Sequence, residues 1–317
     1  MWPDVVGLAA GYALDAWLGD PRRFHPVAGF GSAAAALEER LYRPDRTAGV
    51  AYAAIAVGAP VALGVAAAAA TRCRPVSRAV LTAAAAWTAL GGSSLRGEAR
   101  RMARSLAGGD LPAARARLGS LCGRDPSGLD EAELARATVE SVAENTSDAV
   151  VAPLFWGAVA GLPGLLGYRA ANTLDAMVGH RNRRYAHFGT PAARLDDALN
   201  LVPSRLTALL TIALAPSVGG DRAEAMRVWK RDRADHPSPN AGQCESAIAG
   251  ALGVRLGGRN VYFGRTETRP FLGDGPRPGL HHIRRAAKLS RNVGRAAVVV
   301  ATTIAIARWW QPRHRKP

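Results

Sequence analysis

Acidic side chains recur at helical spacing in the middle of the chain. Glu140, Glu144 and Asp148 are each four residues apart, and Asn145 follows Glu144 directly. Residues three or four apart lie on one face of a helix, so this spacing predicts one stripe of oxygen ligands. Mg²⁺ takes one or two carboxylates together with water and substrate phosphate, so the stripe predicts a magnesium and phosphate site. The alternative is structural: an acidic stripe that complements a helix dipole, or ion pairs with Arg136 and Arg169.

A second pair of polar residues follows an apolar run. Asn172 and Asp175 are three residues apart and therefore share a helix face. Carboxylates beside an apolar segment are costly unless a partner compensates them, which favours a functional role for Asp175. Asn172 has a simpler alternative, because Asn is a common helix N-cap.

A third set contains two adjacent aspartates. Asp196 and Asp197 repel each other unless an arginine or a metal neutralises them, and Asn200 lies three residues after Asp197. Arg194 and Arg205 are near enough in sequence to bind a phosphate or a carboxylate. The same two arginines could instead form a structural ion-pair network with the aspartates.

Five further residues are candidate ligand contacts. His236, Ser238 and Asn240 lie in a loop that two prolines stiffen, which lowers the entropy lost on binding. Asp15 lies within the first apolar segment, where an ionisable residue is more often functional or paired than idle. His25, which precedes a proline, is a weaker candidate.

Several uncharged runs predict membrane-spanning helices. The chain has 317 residues, of which 48% are apolar and only 6% aromatic. Ala48–Ala70 is uncharged and long enough to cross a hydrocarbon layer of about 30 Å. Amphipathic periodicity is missing inside these runs, which disfavours the alternative of core helices in a soluble all-α protein. The predicted apolar segments are about 4–19, 48–71, 79–95, 149–168, 204–220 and 293–310.

The chain therefore predicts an all-α, multi-pass membrane bundle forming a single domain over residues 1–317. Polar loops are expected at 20–47, 96–147, 169–203 and 221–292. Crossings by every segment would place Glu140 and Asp175 on opposite sides of the membrane, so one segment is expected not to cross. Pro153 and Pro163 interrupt residues 149–168, which we expect to be re-entrant or broken.

The net charge of +16 is concentrated in loops. Basic loops fit the positive-inside rule and anionic lipid, and the lipid bilayer is an expected partner. Nucleic acid is not expected as a partner, because no aromatic interleaving and no nucleic-acid motif accompanies the arginines.

Taken in order, several motifs resemble the CobD/CbiB family, the adenosylcobinamide-phosphate synthases of cobalamin biosynthesis. The resemblance covers nearly the whole chain, and its ordered motifs include DAWLGDP at 15–21, VESVAENTSD at 139–148, YRAANTLDAMVG at 168–179, ARLDDALN at 193–200 and HPSPNAG at 236–242.

The resemblance implies a multi-pass enzyme of the cell inner membrane whose active site faces the cytoplasm. It implies ATP-dependent amide formation between adenosylcobyric acid and (R)-1-amino-2-propanol phosphate or free aminopropanol. The expected cofactors are ATP and Mg²⁺; the sequence has no common phosphate-loop motif. The expected partners are the corrinoid, the amino alcohol phosphate and other late corrinoid-pathway membrane enzymes.

Residue roles follow from that chemistry. We expect the Glu140, Glu144 and Asp148 stripe to handle metal and phosphate. Asp175 or Asp197 is the expected base for the ammonium of the amino alcohol. Two other readings of the acidic clusters stay open at this point: a Mg²⁺-dependent intramembrane prenyltransferase and a transporter.

Overall fold

The computed structural model describes residues 2–21, 25–180, 182–262 and 265–310. The described part of the chain is mostly helical, which confirms the predicted all-α class. The helices are α1 (Trp2–Leu18), α2 (Pro26–Leu41), α3 (Arg46–Ala70), α4 (Pro75–Ala89), α5 (Gly92–Ala107), α6 (Leu111–Leu118), α7 (Glu131–Thr146), α8 (Ala152–Val178), α9 (Thr190–Leu214), α10 (Arg222–Asp232), α11 (Ala241–Leu252) and α12 (Leu280–Trp310). A π-helical turn, Ser147–Val151, joins α7 to α8, and a 3-10 turn, Ala215–Val218, follows α9.

Within the described residues, four stretches of helix are long and apolar enough to cross a membrane. They are Arg46–Ala70, Glu131–Val178, Thr190–Val218 and Leu280–Arg308. The other two predicted segments correspond to α1 and α4, whose 17 and 15 residues fall short of the about 20 that a spanning helix needs. The expected segment at 79–95 also contains a helix boundary, because α4 ends at Ala89 and α5 begins at Gly92.

The chain divides into two compact units, each built from separate stretches of sequence. The first comprises Met1–Gly91, Ala152–Asn200 and Ala297–Pro317, and the second comprises Gly92–Val151 and Leu201–Ala296. The assignment of residues 1–317 to a single membrane domain stays a prediction.

Small residues set the helix packing of the first unit. A Cβ atom added at Gly64 of α3 would lie 2.7 Å from the Cα of Pro163 in α8. A Cβ at Gly11 of α1 would lie 2.4 Å from the Cβ of Ala86 in α4. Glycines therefore allow both helix pairs to approach at backbone distance, as is common between membrane helices.

Helix α8 is broken where the sequence predicts it. Gly161 has φ 68° and ψ −149°, a conformation that side chains with a Cβ rarely adopt, and Pro163 follows without an N–H group. The carbonyl of Val159 accepts a hydrogen bond from Arg308 Nη1 at 3.0 Å, which satisfies a polar group near the break. The predicted break is confirmed, whereas re-entrance stays a prediction.

An ion pair supports this region. The buried Asp4 carboxylate accepts hydrogen bonds from Arg78 Nε and from Arg308 Nη2, each at 2.8 Å. A second cluster in the same unit surrounds the buried Glu38 carboxylate, which accepts from Arg184 Nη2 at 2.9 Å and from the Tyr185 hydroxyl at 2.9 Å.

The second unit contains ordered structure where a polar loop was expected. Residues 221–292 hold α10, α11 and an antiparallel hairpin formed by β1 (Leu256–Tyr262) and β2 (Arg265–Leu272). Gly257 and Gly258 have φ of 84° and 96°, and the strand register shifts beside them. Such a bulge interrupts the period-two alternation from which a strand is predicted, so the sequence pattern concealed the hairpin. Residues 190–203, also expected to be loop, form the first half of α9.

We predict that Gly64→Ala lowers the thermal stability of the purified protein by several degrees, because the added methyl group overpacks the contact with Pro163. Gly58→Ala is the matched control, since this exposed glycine of α3 has no atom within 4 Å of an added Cβ. Thermal unfolding in detergent compares the two variants. Equal melting temperatures would show that α3 and α8 do not depend on this close approach.

Candidate functional site

A buried carboxylate organises the second unit. Glu140, on α7, is 4% exposed, and its Oε2 accepts from Arg124 Nη2 at 2.6 Å. Its Oε1 accepts from Arg136 Nη1 at 3.1 Å and from the backbone N–H of Gly257 at 2.8 Å. Arg136 is the i−4 neighbour on the same helix, so the ion-pair alternative raised for this position is what the structure shows.

Arg136 extends this network to the hairpin. Its Nη1 donates to Asn260 Oδ1 at 3.0 Å, and its Nη2 donates to the carbonyl of Arg259 at 3.0 Å. Arg124, which is 4% exposed, comes from the loop between α6 and α7. The two guanidinium groups therefore fasten α7 to β1 and to that loop through one carboxylate.

A cavity of about 250 Å³ adjoins this network. Four arginines contribute to its wall, together with the bulged backbone of the hairpin and one carboxylate, Glu133. The lining residues used below are Arg136, Arg255, Gly257, Gly258, Arg259 and Arg277. Guanidinium groups bind carboxylate and phosphate oxygens through paired N–H donors, so the cavity suits an anionic group.

The HPSPN loop contributes a second buried network. His236 Nε2 lies 3.8 Å from Glu245 Oε1 and 3.3 Å from Arg269 Nη1, and the backbone N–H of Ser238 donates to His236 Nδ1 at 3.0 Å. Burial, followed by the nearby Arg269 charge, lowers the pKa of His236 to about 4. Burial raises the pKa of Glu245 well above its usual value, and the charges of Glu140 and Glu144 add to this effect. Desolvation is the largest cause of both pKa shifts, and it disfavours the charged form of each group.

The other two predicted residues of this loop shape its backbone. Ser238 Oγ accepts from the backbone N–H groups of Asn240 and Ala241, at 3.3 and 3.1 Å, at the start of α11. Asn240 Oδ1 accepts from Ser204 Oγ at 3.0 Å and lies 3.5 Å from Arg205 Nη1. Arg205 also donates to the carbonyl of Leu201 at 2.8 Å. Arg205 thus contacts the loop, and its described hydrogen bonds go to neutral oxygens.

The remaining members of the acidic stripe are more accessible than Glu140. Glu144 is exposed, Asp148 is half-buried in the π-helical turn, and Asn145 donates to the carbonyl of Ser141 at 2.9 Å. Burial raises the pKa of the Cys244 thiol, and the charges of Asp148 and Glu144 contribute to this rise. Both carboxylates therefore lie within electrostatic range of Cys244 on α11.

The structure reduces the number of candidate ligands for the predicted metal site. Among the described residues, no group of three His, Cys, Asp or Glu side chains is placed to hold a metal ion together. Glu140 has both oxygens committed to arginines and to an amide N–H, so it is a poor ligand. Glu144 and Asp148 remain as candidate metal ligands. Two carboxylates together with water and phosphate fit the preference of Mg²⁺.

The candidate residues of the first unit form a separate cluster. The buried Asp196 carboxylate accepts from Asn172 Nδ2 at 3.2 Å and from Asn200 Nδ2 at 3.0 Å. The hydroxyl of Tyr168 donates to Asn200 Oδ1 at 3.0 Å. Asn172 lies inside α8, so the capping alternative is wrong. Amide N–H groups, rather than Arg194 or Arg205, are thus the described hydrogen-bond donors to Asp196.

The structure places the other predicted residues of this unit at different points. Asp197 is half-buried next to Asp196 in α9, and Arg194 is exposed. Asp175 is half-buried in the last turn of α8, and its side chain lies against Gly179, where an added Cβ would fall 1.9 Å from Oδ1.

Two residues near the N-terminus also fall in this unit. Asp15 is fully buried within α1, as expected for an ionisable residue with a special role. His25 is the N-cap of α2, and its Nδ1 accepts from the backbone N–H of Val27 at 3.2 Å.

Sequence reasoning missed Arg124, Glu245 and Arg269. Glu245 had a usable signal, because it is the one carboxylate in the otherwise small and apolar stretch Ala241–Leu252, and it is 1% exposed. Arg124 and Arg269 had none, since nothing local distinguishes them from the many other arginines.

Comparisons with known proteins agree with these motifs. A family model described as CobD/Cbib protein matches residues 8–290, a span that contains the Glu140 network and the arginine-lined cavity. The chain belongs to the CobD/CbiB family. A Mycobacterium tuberculosis protein named Cobalamin biosynthesis protein CobD is 51% identical over 305 residues, covering 96% of both chains.

More distant relatives carry the same printed name. The protein of Geobacter metallireducens is 47% identical over 271 residues, covering 84% of this chain and 85% of its own. That of Chromobacterium violaceum is 45% identical over 285 residues, covering 87% and 88%. No solved structure matches this chain significantly.

We predict that Glu140→Gln lowers the melting temperature by roughly 6–12 °C, because removing one partner of a buried ion pair costs about 3 kcal/mol or more. The variant removes the negative charge that the buried Arg124 and Arg136 share. Glu131→Gln is the matched control, since Glu131 is exposed in the first turn of the same helix. Equal stability of the two variants would contradict the central position of Glu140.

The pKa of His236 predicts a pH-dependent stability. The ordinary pKa of 6.5 falls to about 4 in the folded chain, so the unfolded state binds a proton more readily between these values. The stability that neutral His236 provides is complete above pH 6.5 and is lost towards pH 4, by about 3 kcal/mol. The difference in melting temperature between wild type and His236→Gln should therefore shrink across this window. A constant difference would mean that His236 is not held neutral.

Proposed function

We propose that this protein acts in cobalamin biosynthesis as an amide-forming ligase. It would join adenosylcobyric acid to (R)-1-amino-2-propanol phosphate, or to the free amino alcohol, to give adenosylcobinamide phosphate or adenosylcobinamide. The family match over residues 8–290 carries this proposal. Relatives named Cobalamin biosynthesis protein CobD, matched along 96% of both chains, support the pathway.

The chemistry requires an activated carboxylate. A propionate carboxylate does not condense with an amine at neutral pH unless one of its oxygens becomes part of a leaving group. Transfer of the terminal phosphoryl group of ATP provides this, with ADP released. The amine then attacks the acyl carbon, the amide C–N bond forms, inorganic phosphate leaves, and a base takes the proton from nitrogen. Mg²⁺, when bound, supplies neutralisation of phosphate charge.

The arginine-lined cavity is our candidate for the phosphate of the amino alcohol. Arg255, Arg259 and Arg277 line it together with Arg136, whose position the Glu140 carboxylate fixes. Charge-assisted hydrogen bonds of this type are about twice as strong as neutral ones.

The acidic residues take different roles in this scheme. Glu144 and Asp148 are the residues that would hold Mg²⁺, whereas Glu140 positions the arginines. Asp175 or Asp197 stays our candidate base for the ammonium group. Asp196 is less suitable as that base, because two amides already bind its carboxylate.

The membrane setting also belongs to the proposal. Four apolar helical stretches support a membrane protein. We place it in the inner membrane with the reacting groups on the cytoplasmic side, where ATP is available. Association with other late corrinoid-pathway enzymes would pass the corrinoid product from one enzyme to the next at the membrane surface.

The direct test uses the purified full-length protein in detergent with adenosylcobyric acid, (R)-1-amino-2-propanol phosphate, ATP and Mg²⁺. We expect the condensed corrinoid by mass spectrometry, with one ADP formed per amide. Omission of ATP should abolish the product. Absence of the amide under these conditions, together with transfer of a prenyl group from a prenyl diphosphate, would replace the ligase with a prenyltransferase. Activity in detergent without a membrane gradient excludes a transport-coupled reaction.

We predict that Arg259→Gln raises the KM for the phosphorylated amino alcohol about tenfold, because one charge-assisted contact is worth about 1.5 kcal/mol. The KM for free aminopropanol should change less than twofold, since that substrate has no phosphate. Lys230→Gln, an exposed cation of α10 that does not line the cavity, is the control. Equal increases in KM for both substrates would contradict phosphate binding at this cavity.

A further inference from the structure

A second cationic feature lies on another face of the second unit. Helices α5 and α12 border a groove of about 490 Å³ whose charged lining residues are all basic. The floor is made by Ala103 and Ala287. The five cations of this basic groove are Arg100, Arg104, Arg284, Lys288 and Arg291.

Two pairs of these cations have an unfavourable spacing that a bound anion would relieve. Arg100 and Arg104 are four residues apart on α5, as are Arg284 and Lys288 on α12. Like charges at this spacing destabilise a helix by a few tenths of a kcal/mol per pair. The neighbouring acid on α5, Glu98, pairs with Arg101 and with Arg117 at 3.7 Å, and it does not line the groove.

The position of the groove along α12 indicates the source of the anion. Arg284, Lys288, Arg291 and Arg295 follow at i, i+4, i+7 and i+11, which places them on one helix face. Residues 296–307 directly after them are uncharged and belong to a stretch apolar enough to cross a membrane. From Arg291 to the start of the uncharged run is about 7–8 Å along the helix.

We propose that the basic groove binds the phosphate headgroup of an anionic phospholipid. Basic clusters directly beside a membrane-spanning segment are attracted to anionic lipid by about 1 kcal/mol per Lys or Arg. The small floor residues Ala103 and Ala287 leave room for a headgroup between the two helices, and the uncharged residues 296–307 follow in the sequence of α12. The shared chemistry is recognition of a phosphate, and the membrane is its source here. This proposal depends on the membrane assignment and is independent of the ligase reaction.

The test compares lipid retention by the full-length protein. Protein in detergent is titrated with mixed micelles of phosphatidylglycerol and phosphatidylcholine, and retained lipids are counted by native mass spectrometry. The groove variant combines Arg100→Gln, Arg284→Gln and Lys288→Gln. The charge-matched control combines Arg40→Gln, Arg43→Gln and Arg72→Gln, which are exposed and do not line the groove.

We expect the groove variant to bind phosphatidylglycerol at least tenfold more weakly than wild type, since each neutralised cation contributes about fivefold. The control should lose less than twofold. Millimolar inorganic phosphate or ATP should not displace the lipid. Removal of the repulsive pairs should leave the melting temperature in plain detergent unchanged or higher, so unfolding cannot mimic the loss.

Two results would overturn the proposal. Equal loss in the groove variant and the control would show that only the overall charge attracts lipid. Displacement of phosphatidylglycerol by ATP, with ATP binding lost in the groove variant, would make the groove a nucleotide site instead.

Discussion

The buried Glu140 carboxylate is the constraint on which the second unit depends. Two guanidinium groups and one backbone N–H meet on its two oxygens, and these donors come from α7, from the loop before it and from β1. Burying three ionised groups is favourable only when their hydrogen bonds are satisfied together, so the carboxylate fixes all three elements at once. Arg136, which Glu140 holds in place, donates from Nη2 to the carbonyl of Arg259 in the hairpin. The same side chain lines the arginine-lined cavity.

Charge is handled differently at the two kinds of site in this protein. Arg78 and Arg308 share the Asp4 carboxylate beside the break in α8, so the charged groups of the apolar region have close partners. The arginine-lined cavity and the basic groove instead bring several cations together, and a bound phosphate would add negative charge beside them. In the cavity, Arg136 already pairs with Glu140, and Arg277 Nη1 lies 3.6 Å from Asp130 Oδ2.

Features determined by local sequence were predictable, and those determined by distant contacts were not. The break in α8 follows from Gly161 and Pro163 themselves, and the pairing of Glu140 with Arg136 follows from i, i+4 spacing. Nothing local distinguishes Asp196 from Asp197; the approach of Asn172 on α8 decides which one is buried and bound. The hairpin was not predicted from the sequence, because its bulged glycines interrupt the alternation of a strand.

Hydrogen exchange measured by mass spectrometry on the Glu140→Gln protein tests the central claim most directly. If Glu140 fastens the hairpin to α7, peptides covering Leu256–Tyr262 should exchange faster in this variant, while the Ala241–Leu252 helix keeps its protection at early times. The exposed Glu131→Gln variant should match wild type throughout. Unchanged exchange in the hairpin of the Glu140→Gln protein would contradict the account, because the strand would then be held by other contacts.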